Sequence, residues 1–174
     1  GRRVAIIGAG GIGFDVAEFL SEAHGGAGTA EFLAAWGVDP RGMGDGGLVA
    51  PKQETSPRAI FLLQRKPTPP GKSLGATTGW AIRMELARRG IPVLSGVSYQ
   101  RIDDQGLHIL HEGQAKLLEV DHVVVCAGQE PVNALRAELA AMGIEAALIG
   151  GAERAEEIDA LRAMEQGMKA AYAL

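Results

Sequence analysis

Short apolar runs rich in β-branched residues alternate with helical periodicity over the first part of the chain. Residues 4–7 form such a run, Gly8 follows it, and apolar positions then recur at helical spacing over residues 12–23. A run that is apolar at every position is typical of a parallel strand buried on both faces. The pattern predicts a strand followed by a helix, with Gly25 and Gly26 ending that helix.

The same alternation continues to residue 94. Further strands are predicted over residues 59–63 and 91–94, and the helix between them is capped by Thr77 or Thr78, runs to Arg89 and stops at Gly90. Residues 25–58 hold many glycines and prolines, so we expect one short helix over residues 30–36 and otherwise an irregular segment. A segment of that length is either functional or disordered, and Trp36 is its candidate anchor.

From residue 97 the pattern changes to successive strands separated by turn residues. We expect strands over residues 97–102, 107–111, 116–120 and 122–126, with the second and third forming a hairpin and the last returning to the buried parallel sheet. A helix over residues 134–142, a strand over 146–149 and a closing helix over 157–174 complete the prediction. This order predicts a three-layer α/β fold of Rossmann type that carries an antiparallel β-meander.

The turn between the first strand and the first helix has the spacing G-x-G-x-x-G. Gly8 permits the tight turn, Gly10 lets the backbone approach a pyrophosphate, and Gly13 lets the helix pack close to the sheet. The free N–H groups of the following helix favour phosphate oxygens. We therefore predict dinucleotide binding at Gly8, Gly10, Gly11, Ile12 and Gly13. A Walker-type loop is excluded because no Gly-Lys-Ser/Thr follows.

The end of the second strand indicates which dinucleotide is bound. NAD sites carry an acidic residue there for the ribose 2′-hydroxyl, whereas this strand is followed by Gln64, Arg65 and Lys66. An NADP site needs cations for the 2′-phosphate, and a guanidinium suits phosphate oxygens. We predict NADPH, with Arg65 as the first contact, Lys66 as the second and Lys72 as a third.

Composition excludes several classes of protein. The net charge is −4, which argues against a nucleic-acid binder. The single cysteine, Cys126, rules out a disulfide framework or an iron–sulfur site built by this chain alone, and it fits a cytoplasmic location. No apolar run is long enough for a membrane span. The histidines show no metal-ligand spacing, Cys126 is best explained as a structural thiol, and no residue is predicted to be catalytic.

Longer stretches resemble the bacterial NADPH-dependent 2,4-dienoyl-CoA reductase family. They are Leu-Leu-Gln-Arg-Lys at residues 62–66, Thr-Thr-Gly-Trp at 77–80, Cys-Ala-Gly-Gln-Glu-Pro at 126–131 and Leu-Ile-Gly-Gly at 148–151. The resemblance covers nearly the whole chain. It implies the fold of the FAD/NAD(P)-dependent disulfide-reductase-like flavoproteins, with an NADP-binding domain inserted within a FAD-binding domain.

The resemblance also implies the organisation of a larger enzyme. In that family NADPH reduces FAD, and electrons pass through a 4Fe-4S cluster to FMN, which reduces the dienoyl-CoA in unsaturated fatty acid β-oxidation. Residues 1–127 would be the NADP-binding domain and residues 128–174 the returning segment of the FAD domain. FMN, the cluster, the FMN-binding barrel and the rest of the FAD domain would lie outside this chain, which alone would be inactive.

The same resemblance carries site residues for the flavin. Gly128 and Gln129 match the crossover segment between the two domains, and a second group matches the end that contacts the flavin. That second group comprises Gly151, Ala152, Asp159, Ala160 and Leu161. The sequence departs from the family here, because Ala152-Glu153 stands where a Gly-Asp pair is common.

Two alternatives remain open on the sequence alone. One is an NADH-dependent enoate reductase or a trimethylamine-dehydrogenase-like flavoprotein, against which Arg65 and Lys66 argue. The other is a non-catalytic regulatory domain that binds a dinucleotide. Residues 150–174 argue against a regulatory domain, because a sensor has little use for part of a flavin domain.

Overall fold

A computed structural model describes residues 1–22, 28–42, 44–52, 55–72, 74–155 and 159–173. The strands are β1 (Arg3–Ile7), β2 (Ala59–Leu63), β3 (Val93–Leu94), β4 (Ser98–Asp103), β5 (Gly106–His111), β6 (Gln114–Leu118) and β7 (His122–Val125). The helices are α1 (Gly11–Ser21), α2 (Thr29–Trp36), α3 (Gly79–Arg88), α4 (Ala134–Ala141) and α5 (Ala160–Tyr172). The chain divides into two compact units, residues 1–127 and residues 128–174.

The first unit contains two sheets. One is parallel, with the strand order β3-β2-β1-β7, and the other is the antiparallel meander β4-β5-β6. β1 lies between β2 and β7 and pairs with both along its length. The predicted α/β Rossmann-like fold with an antiparallel meander is confirmed.

Alternate residues of the parallel strands face two different cores. Ile6 of β1 packs with Phe14 of α1 and Leu86 of α3, and all three are fully buried. Its neighbour Ala5 points the other way and packs with Leu107 of the meander. The parallel sheet is therefore covered by helices on one face and by the meander on the other. This is why its strands are apolar at nearly every position.

The structure differs from the sequence prediction at several element boundaries. Helix α1 ends at Ser21, and β6 begins and ends two residues before the predicted strand. The strand predicted over residues 146–149 is wrong, because those residues form no ladder. Ile149 is extended, but a strand needs a partner, and the described part of the second unit contains none. The predicted stop at Gly25 and Gly26 lies outside the described residues.

The irregular segment between α1 and β2, called the excursion below, is folded where the structure describes it. Val38 pairs with Leu48 in an antiparallel bridge, and the Asp39 carboxylate accepts hydrogen bonds from the backbone N–H groups of Arg41 and Gly44 at 3.0 and 3.2 Å. These contacts join residues 38–42 to residues 44–48, so the described part of this segment is folded.

An aromatic cluster attaches this excursion to α3. The ring of Trp36 lies 6.2 Å from that of Phe32 and meets Trp80 edge-on at 6.1 Å. The Arg88 guanidinium lies 4.8 Å from the centre of the Trp36 ring and donates to the Ala35 carbonyl oxygen at 3.0 Å. Trp36 is thus the anchor that the sequence suggested.

The second unit has almost no core of its own. Among its described residues only Ala155 is buried. Helix α5 exposes an apolar stripe at helical spacing, formed by Leu161, Met164, Met168 and Tyr172, each more than half exposed. Among the described residues, no helix has the length and apolarity that crossing a membrane requires.

Candidate dinucleotide-binding site

The candidate site lies at the carboxyl ends of three adjacent parallel strands. Gly8 follows β1, Gln64 follows β2 and Cys126 follows β7, and β1 lies between the other two. From β1 the chain proceeds to β2 and β3 on one side, and β7 is added later on the other side. The strand order therefore reverses beside β1, and open α/β sheets bind ligands at such a point.

Two glycines of the loop are required by the fold itself. Gly8 has φ +115°, and a Cβ there would lie 2.7 Å from the carbonyl oxygen of Cys126. A Cβ on Gly13 would lie only 1.7 Å from the carbonyl oxygen of Gly8. The first turn of α1 thus packs directly on the end of β1, and only hydrogen atoms fit between them. These contacts match the geometric roles that the sequence gave to Gly8 and Gly13.

Gly10 and Gly11 have a different environment. A Cβ on either would meet no atom within 4 Å, so the space beside them is open. Gly10 is the N-cap of α1, and its carbonyl oxygen accepts from the N–H of Phe14 at 3.0 Å. It has no side chain to cap the helix, and no acidic residue stands in the first turn. The first N–H groups of α1, which have no partner within the helix, therefore lie beside open space at Gly10 and Gly11, and such a helix start suits an anion.

The turn after β2 presents two cations beside this loop. Ile7 is paired with Leu63, and the Gly8 N–H donates to the Leu63 carbonyl oxygen at 2.8 Å, so the ends of β1 and β2 are level. Arg65 and Lys66 follow immediately, and both are exposed. No carboxylate stands at residues 64–66. Lys72 is also exposed, next to Gly71, which packs against the Phe14 ring of α1.

Two titratable groups border the site. Burial raises the pKa of Tyr99 in β4, while the charge of Arg65 lowers it, so Arg65 acts electrostatically on the start of the meander. Burial also raises the pKa of the Cys126 thiol. A thiol with a raised pKa is protonated and a poor nucleophile at neutral pH, which agrees with a structural role for Cys126.

The flavin candidates lie in the second unit, and those near residue 151 stand in a turn that side chains of α5 hold. The Asp159 carboxylate caps α5 by accepting from the Arg162 N–H at 2.7 Å. The Gln166 side chain accepts from the Gly150 N–H at 2.6 Å and donates to the Glu153 carboxylate. The turn over residues 150–153 is therefore fixed from α5. Among the candidates, Gly128 has φ +82°, whereas Ala160 and Leu161 form the exposed first turn of α5.

Residues 1–158 match the family model of the pyridine nucleotide-disulphide oxidoreductases. The chain belongs to this family. Its members are FAD- and NAD(P)-dependent oxidoreductases, and a dinucleotide-binding fold follows from the assignment. Among the described residues, no group of three or more His, Cys, Asp or Glu side chains could hold a metal ion.

Several solved structures of low sequence identity share the fold. A 2-naphthoyl-CoA reductase in complex with 2-naphthoyl-CoA matches 97% of this chain with a TM-score of 0.64 and 19% identity, over 20% of its own length. Histamine dehydrogenase from Rhizobium sp. 4-9 matches 100% of the chain with a TM-score of 0.65 and 15% identity, over 23% of its length. Bacillithiol disulfide reductase from Staphylococcus aureus matches 75% with a TM-score of 0.51 and 15% identity, over 30% of its length. The chain thus spans less than a third of each.

One contact of the candidate site was missed from the sequence. The Gln64 side chain donates to the carbonyl oxygens of Lys66 and Thr68, at 2.9 and 2.5 Å. The sequence signal was the proline-rich stretch at residues 67–70, which leaves carbonyl groups without nearby backbone donors.

Proposed function

We propose that this chain binds NADPH and positions it for hydride transfer to FAD, as the pyridine-nucleotide part of a flavin-dependent 2,4-dienoyl-CoA reductase. The observation that carries the proposal is the open start of α1 beside Gly10, with Arg65 and Lys66 at the adjacent strand end. The first feature suits a pyrophosphate, and the second suits a 2′-phosphate in place of a free hydroxyl.

The residues present fit the nicotinamide cofactor. The space beside Gly10 and Gly11 is one that a Cβ would fill, and the helix start there offers N–H groups to phosphate oxygens. The bound cofactor supplies the hydride. The chain binds the pyrophosphate at α1, orients the adenosine end through Arg65 and Lys66, and contributes no acid or base.

The fit to FAD is only partial within this chain. Gly128 and Gln129, with Gly151, Ala152 and the start of α5, would contact the flavin. The described residues of the second unit contain no strand against which a complete FAD domain could be built. FMN and a 4Fe-4S cluster would be held elsewhere in the protein, since this chain has one cysteine.

The acyl-CoA part of the proposal rests on two supports. The first is the resemblance of residues 62–66, 77–80 and 126–131 to the dienoyl-CoA reductases. The second is the shared fold with a 2-naphthoyl-CoA reductase over nearly the whole chain. The similar match to histamine dehydrogenase keeps an amine-oxidising flavoprotein as the second candidate. Turnover of the full-length protein with a dienoyl-CoA or with an amine distinguishes the two.

Calorimetric titration of NADPH and NADH tests the binding step. We expect NADPH to bind tighter by roughly tenfold to a hundredfold, the value of one charge-assisted hydrogen bond. Arg65→Glu should abolish this preference, because it replaces a phosphate-binding cation with an anion. Arg136→Glu, the same charge change at an exposed position of α4, should leave it intact. Equal affinities for the two nucleotides in the unmodified protein would contradict the proposal.

The enzymatic step is tested by comparing this chain with the full-length protein. We expect the chain alone to bind FAD poorly and to show no reduction of dienoyl-CoA with NADPH, because most of the flavin machinery would be absent. Recovery of the purified chain with stoichiometric flavin, or steady turnover by it, would refute this assignment of parts.

A further inference from the structure

The turn that carries the two candidate phosphate-binding cations cannot be held by its own backbone. Residues 67, 69 and 70 are prolines, which have no N–H to donate. The carbonyl oxygens of Lys66 and Thr68 therefore need donors from elsewhere. The Lys66 carbonyl oxygen accepts a hydrogen bond from the Gly96 N–H at 3.1 Å, just before the first strand of the meander.

Gln64 supplies the remaining donors. Its amide nitrogen lies 2.9 Å from the Lys66 carbonyl oxygen and 2.5 Å from that of Thr68. Both partners are acceptors only, so the NH₂ end of the amide must face them. The main chain of Gln64 is itself fixed. Its N–H donates to the Leu94 carbonyl oxygen at 2.8 Å, and its carbonyl oxygen accepts from the Val97 N–H at 3.0 Å. The amide is thus anchored to the sheet at one end and to the turn at the other.

We propose that Gln64 is a positioning residue for cofactor selection, whose amide holds residues 65–68 in the shape that presents Arg65 and Lys66 to a 2′-phosphate. This inference rests on the proposed binding of NADPH. Arg65 and Lys66 are exposed and their long side chains are free to spread, so a fixed backbone lowers the entropy lost on binding.

The chemistry of this position links turn shape to cofactor choice. A carboxylate has no hydrogen to donate and would face two carbonyl oxygens, so Glu at position 64 would open the turn. The side chain type that serves the ribose of NADH is therefore incompatible with the conformation that arranges the cations. Gln64 thus affects the choice between NADPH and NADH without contacting the 2′-phosphate itself.

Gln64→Met tests the inference, because it keeps the side-chain length and removes both donors without adding charge. Affinities for NADPH, NADH and adenosine 2′,5′-bisphosphate are measured by calorimetry on the full chain, with thermal melting as a measure of folding. The loss of one or two hydrogen bonds should weaken NADPH and the bisphosphate roughly fivefold to thirtyfold. NADH affinity should stay within about twofold, since its ribose does not use the turn. Gln100→Met, at an exposed glutamine in β4, is the matched control and should change none of these affinities.

Each outcome decides between the two proposals. Selective loss of the 2′-phosphorylated ligands supports a positioning role for Gln64. Unchanged NADPH affinity in Gln64→Met, with normal preference in the unmodified protein, overturns this inference alone. Equal loss for NADPH and NADH also overturns it, because that result indicates a general structural role. A lack of preference in the unmodified protein overturns the proposed function, and this inference with it.

Discussion

Substitutions at Gly10 and Gly13 test whether two glycines of the same loop serve different purposes, cofactor binding at Gly10 and stability of the fold at Gly13. At Gly13 a Cβ would lie 1.7 Å from the carbonyl oxygen of Gly8, whereas ordinary contacts are at 3.4–4 Å. The Cβ is fixed to the backbone of α1 and the oxygen belongs to the backbone after β1, so Gly13→Ala must push α1 away from the end of β1. Overpacking costs up to about 3 kcal/mol, and the better helix propensity of Ala returns about 1, leaving about 2 kcal/mol of net destabilisation.

Gly10→Ala is the matched variant. The residue has φ −89° and ψ −174°, which Ala adopts without strain, and its Cβ would meet nothing within 4 Å. The free energy of unfolding should fall by only about 0.5 kcal/mol, the penalty for Ala at an N-cap. The added methyl group would instead occupy the space predicted for the pyrophosphate. NADPH affinity should therefore drop roughly tenfold to a hundredfold.

Urea denaturation and calorimetric titration of NADPH distinguish the two effects. We expect a clear shift of the unfolding midpoint for Gly13→Ala and almost none for Gly10→Ala, with loss of NADPH binding in Gly10→Ala despite normal folding. The reasoning about close packing would be refuted if Gly13→Ala unfolded at the same urea concentration as the unmodified protein. The reasoning about the pyrophosphate would be refuted if Gly10→Ala bound NADPH with unchanged affinity.

Two further predictions concern the rest of the first unit. Hydrogen bonds from the Arg3 and Arg2 backbone N–H groups and from the Arg3 side chain lower the pKa of Asp121 from 3.8 to about 2. A carboxyl group whose pKa is lowered by folding stabilises the fold at pH values above its unfolded-state pKa. This stabilisation is lost as the pH falls through the folded-state pKa. Asp121→Asn should therefore be less stable at pH 7, with the difference shrinking between about pH 4 and pH 2 in acid-unfolding curves; a constant difference would contradict the assignment. Trp36→Ala should remove about 1–3 kcal/mol of aromatic and cation–π contacts, so that proteolysis within residues 37–52 becomes faster. An unchanged cleavage rate would show that the cluster does not anchor the excursion.

The parallel sheet could be predicted from the sequence because its strands are buried on both faces. Ile6 and Ala5 face different cores, so residues 4–7 of β1 are all apolar and the run is easily recognised. The meander was predicted from its turns, such as that at Asp103, whose carboxylate accepts from the Gln105 N–H at 3.0 Å. The glycine spacing likewise predicted the contacts of Gly8 and Gly13.

Other features depend on partners that a linear pattern does not reveal. Residues 146–149 have a strand-like composition, but the described chain offers no strand to pair with them. The role of Gln64 depends on a turn that folds back to within hydrogen-bonding distance of its own side chain. Thr78 occupies the predicted N-cap of α3, yet its side chain makes no capping bond. In each case the outcome depends on a three-dimensional partner that the local sequence does not specify.

The unequal burial of the two units bears on how such proteins can be rearranged in evolution. Residues 1–127 enclose two apolar cores, so a gene exchange that breaks at residue 127 would transfer a unit with its own interior. Residues 128–174 have no comparable interior among the described positions, so an exchange of this unit alone would transfer a segment without a core of its own. Successful chimaeras within this family should therefore exchange the first unit and leave residues 128–174 unchanged.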